Sequence, residues 1–133
     1  RKNKSDTSFP HRDSDFWKAH KFNKNLIPKI TFKYTQRLKV WFPIFGCNEQ
    51  NSLRFFNNSH LQKIKSNYKK VKGFKKPTIE KNFLIKNKKN IIMPIQKFNK
   101  DAVLFHDDCV HFAPVNNTSN LRISCEFTAM IVN

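Results

Sequence analysis

Leu121-Arg122-Ile123-Ser124-Cys125-Glu126-Phe127-Thr128 alternates without a break, with Leu121, Ile123, Cys125 and Phe127 on one side and Arg122, Ser124, Glu126 and Thr128 on the other. A period of two is the signature of a β-strand, because successive side chains leave the backbone on opposite faces. The same period appears upstream in Arg37-Leu38-Lys39-Val40-Trp41-Phe42-Pro43-Ile44, where Leu38, Val40, Phe42 and Ile44 oppose Lys39, Trp41 and Pro43. Shorter candidates run from Lys29 to Tyr34, Ser52 to Phe56, Ile91 to Lys97, Ala102 to His106 and Cys109 to Phe112. Asn and Pro clusters at Asn57-Asn58 and from Pro114 to Asn120 separate them. Helical periodicity is weak: Leu61 to Lys72 offers a turn or two with sparse apolar positions. The Lys-rich stretch from about 63 to 89 reads as a surface insertion, or as a loop with a strand near Pro77 to Ile85. Many short, punctuated strands predict a mainly β fold, a sandwich or barrel. The polar face of the last strand fits either a solvated outer surface or the lumen of a jelly roll that holds a polar site.

The chain has 133 residues, the size of one domain, and carries 26 Lys and Arg against 9 Asp and Glu, a formal charge of +17. That balance fits a phosphate-rich partner such as RNA, DNA or a CoA ester. It fits equally well a Lys-, Asn-, Ile- and Phe-rich composition written in AT-rich codons, with many lysines merely solvated. Cys47, Cys109 and Cys125 are odd in number and form no C-x-x-C pair, so reduced thiols in a reducing compartment are expected. No apolar run approaches the roughly 18 residues of a membrane span, and no signal segment opens the chain. The expectation is a soluble, cytoplasmic protein with no membrane partner. Because the chain opens on Arg1 rather than Met, it is expected to be the C-terminal part of a longer protein, a single domain over 1–133 that is incomplete at its N-terminus.

Three separated pieces carry chemistry. His11-Arg12-Asp13 is an H-x-D, His111 lies one hundred positions later, and Arg122 follows eleven positions after that. Two imidazoles and a carboxylate on one face of a metal form a facial triad suited to Fe(II), because three positions stay open for co-substrate and O₂. His and Asp two apart on a strand or at its end point the same way. A guanidinium farther along can grip a carboxylate with two parallel hydrogen bonds. H-x-D alone is a weak signal, since His106-Asp107-Asp108 supplies a second one in the same chain.

The order of these pieces resembles the phytanoyl-CoA dioxygenase-like proteins. Asp101-Ala102-Val103-Leu104-Phe105-His106, then Val110-His111, Asn116-Asn117-Thr118 and Arg122 to Phe127 are similar to that family's C-terminal signature. Phe9-Pro10-His11-Arg12-Asp13 is similar to its H-x-D. Val40-Trp41-Phe42-Pro43-Ile44 resembles its "W-x-P-L" strand, and Asn51-Ser52-Leu53-Arg54 with Asn58-Ser59-His60-Leu61 its "N-G-x-L…G-S-H" stretch. Asn58 and Lys100 stand where the family carries glycine. The resemblance implies a double-stranded β-helix, the cupin-like jelly roll, with His11, Asp13 and His111 as ligands of Fe(II). It implies Arg122 on the distal carboxylate of 2-oxoglutarate, Trp41 lining the co-substrate pocket and Ser124 assisting Arg122. His106 falls outside the metal motif. The implied activity is a dioxygenase that uses O₂ to hydroxylate a small organic or acyl substrate, and retention of Asp13 favours hydroxylation over halogenation. An anionic substrate would suit the positive charge.

Two other readings stay in view. Lysines interleaved with aromatics from Lys69 to Lys76 suit a ribosome-associated, nucleic-acid-binding module. No RNP-like motif, zinc knuckle or arginine stripe accompanies them, so nucleic acid is not the expected partner. A truncated, inactive family member would keep fold and triad but leave the pocket open.

Overall fold

The structure is a computed structural model that describes residues 9–19, 34–71, 73–94, 97–98, 100–117 and 119–132. Helix α1 (Asp13–Ala19) is followed by strands β1 (Tyr34–Phe45) and β2 (Arg54–Phe56), a 3-10 turn (Ser59–Leu61), and strands β3 (Ser66–Val71) and β4 (Phe74–Ile79). Helix α2 (Lys81–Lys86), a second 3-10 turn (Lys88–Asn90) and strands β5 (Ile91–Ile92), β6 (Val103–His106), β7 (His111–Phe112) and β8 (Ile123–Val132) complete the order. The protein is mainly β, as expected. Two antiparallel three-stranded sheets, β6-β1-β8 and β5-β2-β7, stand beside the two-stranded β3-β4 hairpin.

The two long alternating segments pair with each other. Lys39 faces Thr128, Trp41 faces Glu126 and Pro43 faces Ser124 across β1 and β8, and Trp41 faces Val103 on β6. Directly opposed residues of an antiparallel pair share a face. One face of this sheet therefore carries Lys39, Trp41, Pro43, Val103, Phe105, Ser124, Glu126 and Thr128. The other carries Leu38, Val40, Phe42, Leu104, Cys125 and Phe127. The mixed polar face turns inward: Lys39, Trp41, Val103 and Phe105 are buried, whereas Phe42, Leu104 and Phe127 are exposed. On β8 this face is less enclosed: Ser124 and Thr128 are half-buried and Glu126 is exposed.

Sheet β5-β2-β7 works on both sides, and the adjacent Phe55 and Phe56 divide its labour. Phe55 joins Trp41, Cys47, Leu53, Val103, Phe105 and Ala113 in a core between the sheets. Phe56 points the other way, into a second core with Ile64, Ile79, Phe83 and Val110. Within the Lys-rich stretch over 63–89, Ile64, Ile79 and Phe83 cover one face of a sheet, while most of the other described residues are exposed. The helical turn expected from Leu61 to Lys72 is instead strand β3, and the strand expected near Pro77 to Ile85 is split between β4 and α2. Burial of the periodic positions outweighs the weak local preference of the intervening lysines. The expected strand from Lys29 to Tyr34 lies outside the described residues apart from Tyr34, the first residue of β1. Among the described residues of the candidate from Ile91 to Lys97, Ile91 and Ile92 are the ones that pair. No helix among the described residues is long and apolar enough to cross a membrane.

Candidate metal centre

His11 sits directly opposite His111. The backbones exchange two hydrogen bonds, His11 N–H to the His111 carbonyl at 3.1 Å and His111 N–H to the His11 carbonyl at 3.0 Å. That pairing places both imidazoles on one side, with ring centroids 4.5 Å apart. Two residues on, the chain turns into α1, whose first residue is Asp13. Arg12, between the two candidate ligands, points away. Its guanidinium clasps Asp15 at 3.0 and 3.1 Å and also donates to the Ile64 carbonyl and the Ser66 hydroxyl, each at 3.0 Å. Ser14 fixes the other side through its N–H to the Asp107 carbonyl at 3.1 Å and its hydroxyl to Asp108. The H-x-D is thus held at the strand's end by the residues beside its ligands, and two acidic residues in the first turn of α1 suit the positive helix terminus.

Ligand-type atoms of His11, Asp13 and His111 all lie within 4.8 Å of one another, and all three residues are buried. Asp13 places one oxygen 3.5 Å from His11 Nε2 and the other 3.7 Å from His111 Nε2. Each Nδ1 is taken up by a carbonyl two residues earlier, Phe9 for His11 at 2.7 Å and Cys109 for His111 at 3.0 Å. A carbonyl only accepts, so Nδ1 carries the hydrogen and Nε2 is the atom turned to the shared point. Metal-bound histidines are oriented by the same outer hydrogen bond. Phe55 and Phe105 wall His111, with centroids 5.9 and 4.9 Å from the imidazole. Burial, with His11 nearby, lowers the His111 pKa to about 4, so the ring is a neutral lone-pair donor at pH 7. Burial pushes the Asp13 carboxyl up, but His11, His111 and Lys39 together outweigh it and hold the pKa below the usual carboxylate value. Among the described residues its Oδ2 is buried without a hydrogen-bond partner. An anionic oxygen and a bare imidazole nitrogen facing each other in an apolar wall can hold a cation.

Lys39 is the neighbour that the sequence pattern did not single out. Its ammonium lies 3.5 Å from Asp13 Oδ2 and 2.6 Å from Glu126, and it donates to the Thr128 hydroxyl at 3.1 Å. It connects the triad to the polar face of β8.

The other predicted residues are distributed along the core. Trp41 is 3 % exposed and packs in the cluster that contains Phe55 and Phe105. Ser124 lies on the same inner face, opposite Pro43. Arg122 precedes β8 and donates to the Asn51 carbonyl at 2.5 Å, beside the Cys47 thiol, whose pKa burial raises and Arg122 partly restores. Among the described residues Arg122 pairs with no carboxylate. The triad is brought together by direct contact; Trp41 shares a core with Phe55 and Phe105, which wall His111, whereas among the described residues no hydrogen bond or ion pair joins Arg122, Trp41 or Ser124 to the triad. Asn51, fully buried, organises the Arg122 end: its amide donates to the Gly46 carbonyl at 3.0 Å and the Asn116 side chain at 3.2 Å, and its Oδ1 accepts from Asn48 N–H.

Asn58 and Lys100, where the resembled family carries glycine, differ from each other. Asn58 adopts φ 55°, a left-handed conformation that glycine takes freely and asparagine tolerates. It delivers the buried Ser59 hydroxyl to the Val110 N–H at 2.8 Å, next to His111. Lys100, by contrast, is not among the described positive-φ residues. His106, Asp107 and Asp108 also form a compact group. His106 Nδ1 already accepts from Asp108 N–H at 3.1 Å, and Asp107 is held by Arg37 at 2.6 Å, so this second H-x-D fastens a turn. The three cysteines are free.

Comparison with protein-family models, with characterised proteins and with solved structures finds no match. The functional reading therefore rests on the site itself.

Proposed function

We propose that this chain is the core of a cytoplasmic Fe(II)- and 2-oxoglutarate-dependent oxygenase of the phytanoyl-CoA dioxygenase-like type, built on a jelly roll, that hydroxylates a small organic or acyl substrate. The observation that carries the proposal is the convergence of His11, Asp13 and His111. They are one hundred residues apart at the extremes, yet a backbone bridge pairs the two histidines and a helix start sets the aspartate between them.

His11, Asp13 and His111 would hold the metal on one side, and their single negative charge leaves a site that is cationic overall, suited to an anionic co-substrate. When bound, the iron supplies the O₂ activation and oxidative chemistry that no side chain provides. The protein's part is orientation and dryness. The Nδ1 bonds to Phe9 and Cys109 fix the ring planes, and Phe55, Phe105 and Trp41 keep water from the inner face. Arg122 is assigned to the distal carboxylate of 2-oxoglutarate, for which it would exchange the Asn51 carbonyl. Lys39 bridges the Asp13 and Glu126 carboxylates, and it would release Asp13 to a metal held by the triad.

The test is anaerobic addition of Fe(II) and then 2-oxoglutarate, followed by O₂ and measurement of succinate. Iron-dependent succinate formation that disappears in Asp13→Ala supports the proposal. Tight iron binding that is unchanged in Asp13→Ala would show that this triad is not the centre.

A further inference from the structure

The β3-β4 hairpin carries an arrangement that folding alone does not favour. Its register sets Lys69 opposite Lys76 and Lys70 opposite Lys75, two like-charged cross-strand pairs in succession. Like charges placed directly across an antiparallel pair are destabilising. All four lysines are exposed, and among the described residues none pairs with a carboxylate. The ammonium of Lys69 lies instead over the Phe9 ring, 5.9 Å from its centroid.

The two faces of the ribbon differ. At the base of one face, Pro77 and Ile79 are buried, and Ile79 enters the second core. The other face presents Asn67 with Thr78, Lys69 with Lys76 and Val71 with Phe74 in successive rungs. Phe74 is 66 % exposed at the tip, and Tyr68 is 45 % exposed on the strand opposite Pro77. Rungs on one face recur about every 6.8 Å, comparable to the spacing of phosphates along an extended nucleotide strand. A cationic rung followed by an aromatic one therefore matches a polymer whose phosphates and bases alternate. A lipid surface would call for a broader apolar tip than Val71 and Phe74 provide.

The hairpin is also rigidly mounted. Ile79 N–H reaches the Pro10 carbonyl at 3.3 Å, Arg12 bonds the Ser66 hydroxyl, and Ser66 in turn donates to Asp15. We propose that the β3-β4 hairpin is a binding surface for single-stranded nucleic acid, with Lys69 and Lys76 on the phosphates and Phe74, on the same face, stacked on a base. This surface is independent of the metal reading.

The test is fluorescence anisotropy of a labelled single-stranded oligothymidylate with the full chain, in chelator, over a salt series. Each phosphate contact contributes about −0.7 to the log–log salt slope for a single strand. Replacing Lys69 and Lys76 with Gln should flatten the slope by about 1.4. The control replaces Lys81 and Lys86, exposed on α2, and removes the same charge from elsewhere. It should leave most of the affinity. Phe74→Ala, which alters no charge, should weaken binding roughly five- to a hundredfold. Thermal melting of the hairpin variant at or above the parent's temperature confirms that it is folded. Equal losses in hairpin and control variants, or no effect of Phe74→Ala, would overturn the proposal. So would binding of phosphatidylserine vesicles with none to the oligonucleotide.

Discussion

Acidification should unfold this protein through one imidazole. His111 is almost wholly buried, walled by Phe55 and Phe105, and its pKa is lowered from 6.5 to about 4. Between those two values the unfolded chain takes up a proton on this ring and the native chain does not. Proton uptake by the unfolded state lowers the folding free energy as pH falls, so the full contribution is present above pH 6.5 and is lost on the way to pH 4. At 1.36 kcal/mol per unit, the loss amounts to about 3 kcal/mol. That is a large share of the roughly 5–15 kcal/mol that holds a domain folded. The assay is the urea midpoint of the metal-free protein in chelator, measured across this pH window for the parent and for His111→Leu. The parent should lose about 3 kcal/mol, and the variant should be nearly level whatever its stability at pH 7. A parent that is level between pH 6.5 and 4, or a variant that keeps the parent's slope, would refute the burial argument. The lowered pKa has a functional consequence: at neutral pH no proton must leave His111 when a metal arrives.

Other perturbations test the scaffold around the site. Gly46→Ala should cost at least about 3 kcal/mol in thermal melting, because Gly46 has φ 65° and an added Cβ would lie 1.9 Å from the Leu121 carbonyl oxygen, on backbone that cannot retreat. Ser59→Ala strands the buried Val110 N–H and should destabilise by about 1–3 kcal/mol in urea unfolding, with a parallel weakening of metal binding because His111 is the next residue. Arg122→Lys should raise the 2-oxoglutarate KM by roughly tenfold or more with kcat less affected, since an ammonium cannot reproduce a two-bond grip on a carboxylate; an unchanged KM would remove Arg122 from the co-substrate site.

Strand periodicity was legible wherever burial enforced it. β1, β6 and β8 follow the alternation read from Arg37 to Ile44, Ala102 to His106 and Leu121 to Thr128. The orientation of those faces was not, because the face that carries buried Trp41 and Phe105 also carries Lys39, Glu126 and Thr128, whose polarity reads as a solvated side. The hairpin was hidden for a related reason: consecutive lysines at 69–70 and 75–76 erase the apolar alternation, and its buried residues, Pro77 and Ile79, lie at its end. Helix α1 was not anticipated: the sequence reading set His11 and Asp13 on a strand or its end, and a helix of seven residues is too short to show a periodic apolar face. The triad could be nominated from ordered motifs, whereas Lys39 and Asn51 could not. Their roles depend on which strand lies opposite, and no local spacing encodes that.

Anaerobic Fe(II) titration of the parent and of His11→Ala, Asp13→Ala and His111→Ala, each competed against a chromogenic chelator, bears most directly on the centre. One iron per parent chain, with affinity lowered by more than about a hundredfold in each of the three variants, is the predicted result. Parent-like iron binding in any folded member of the three would contradict it.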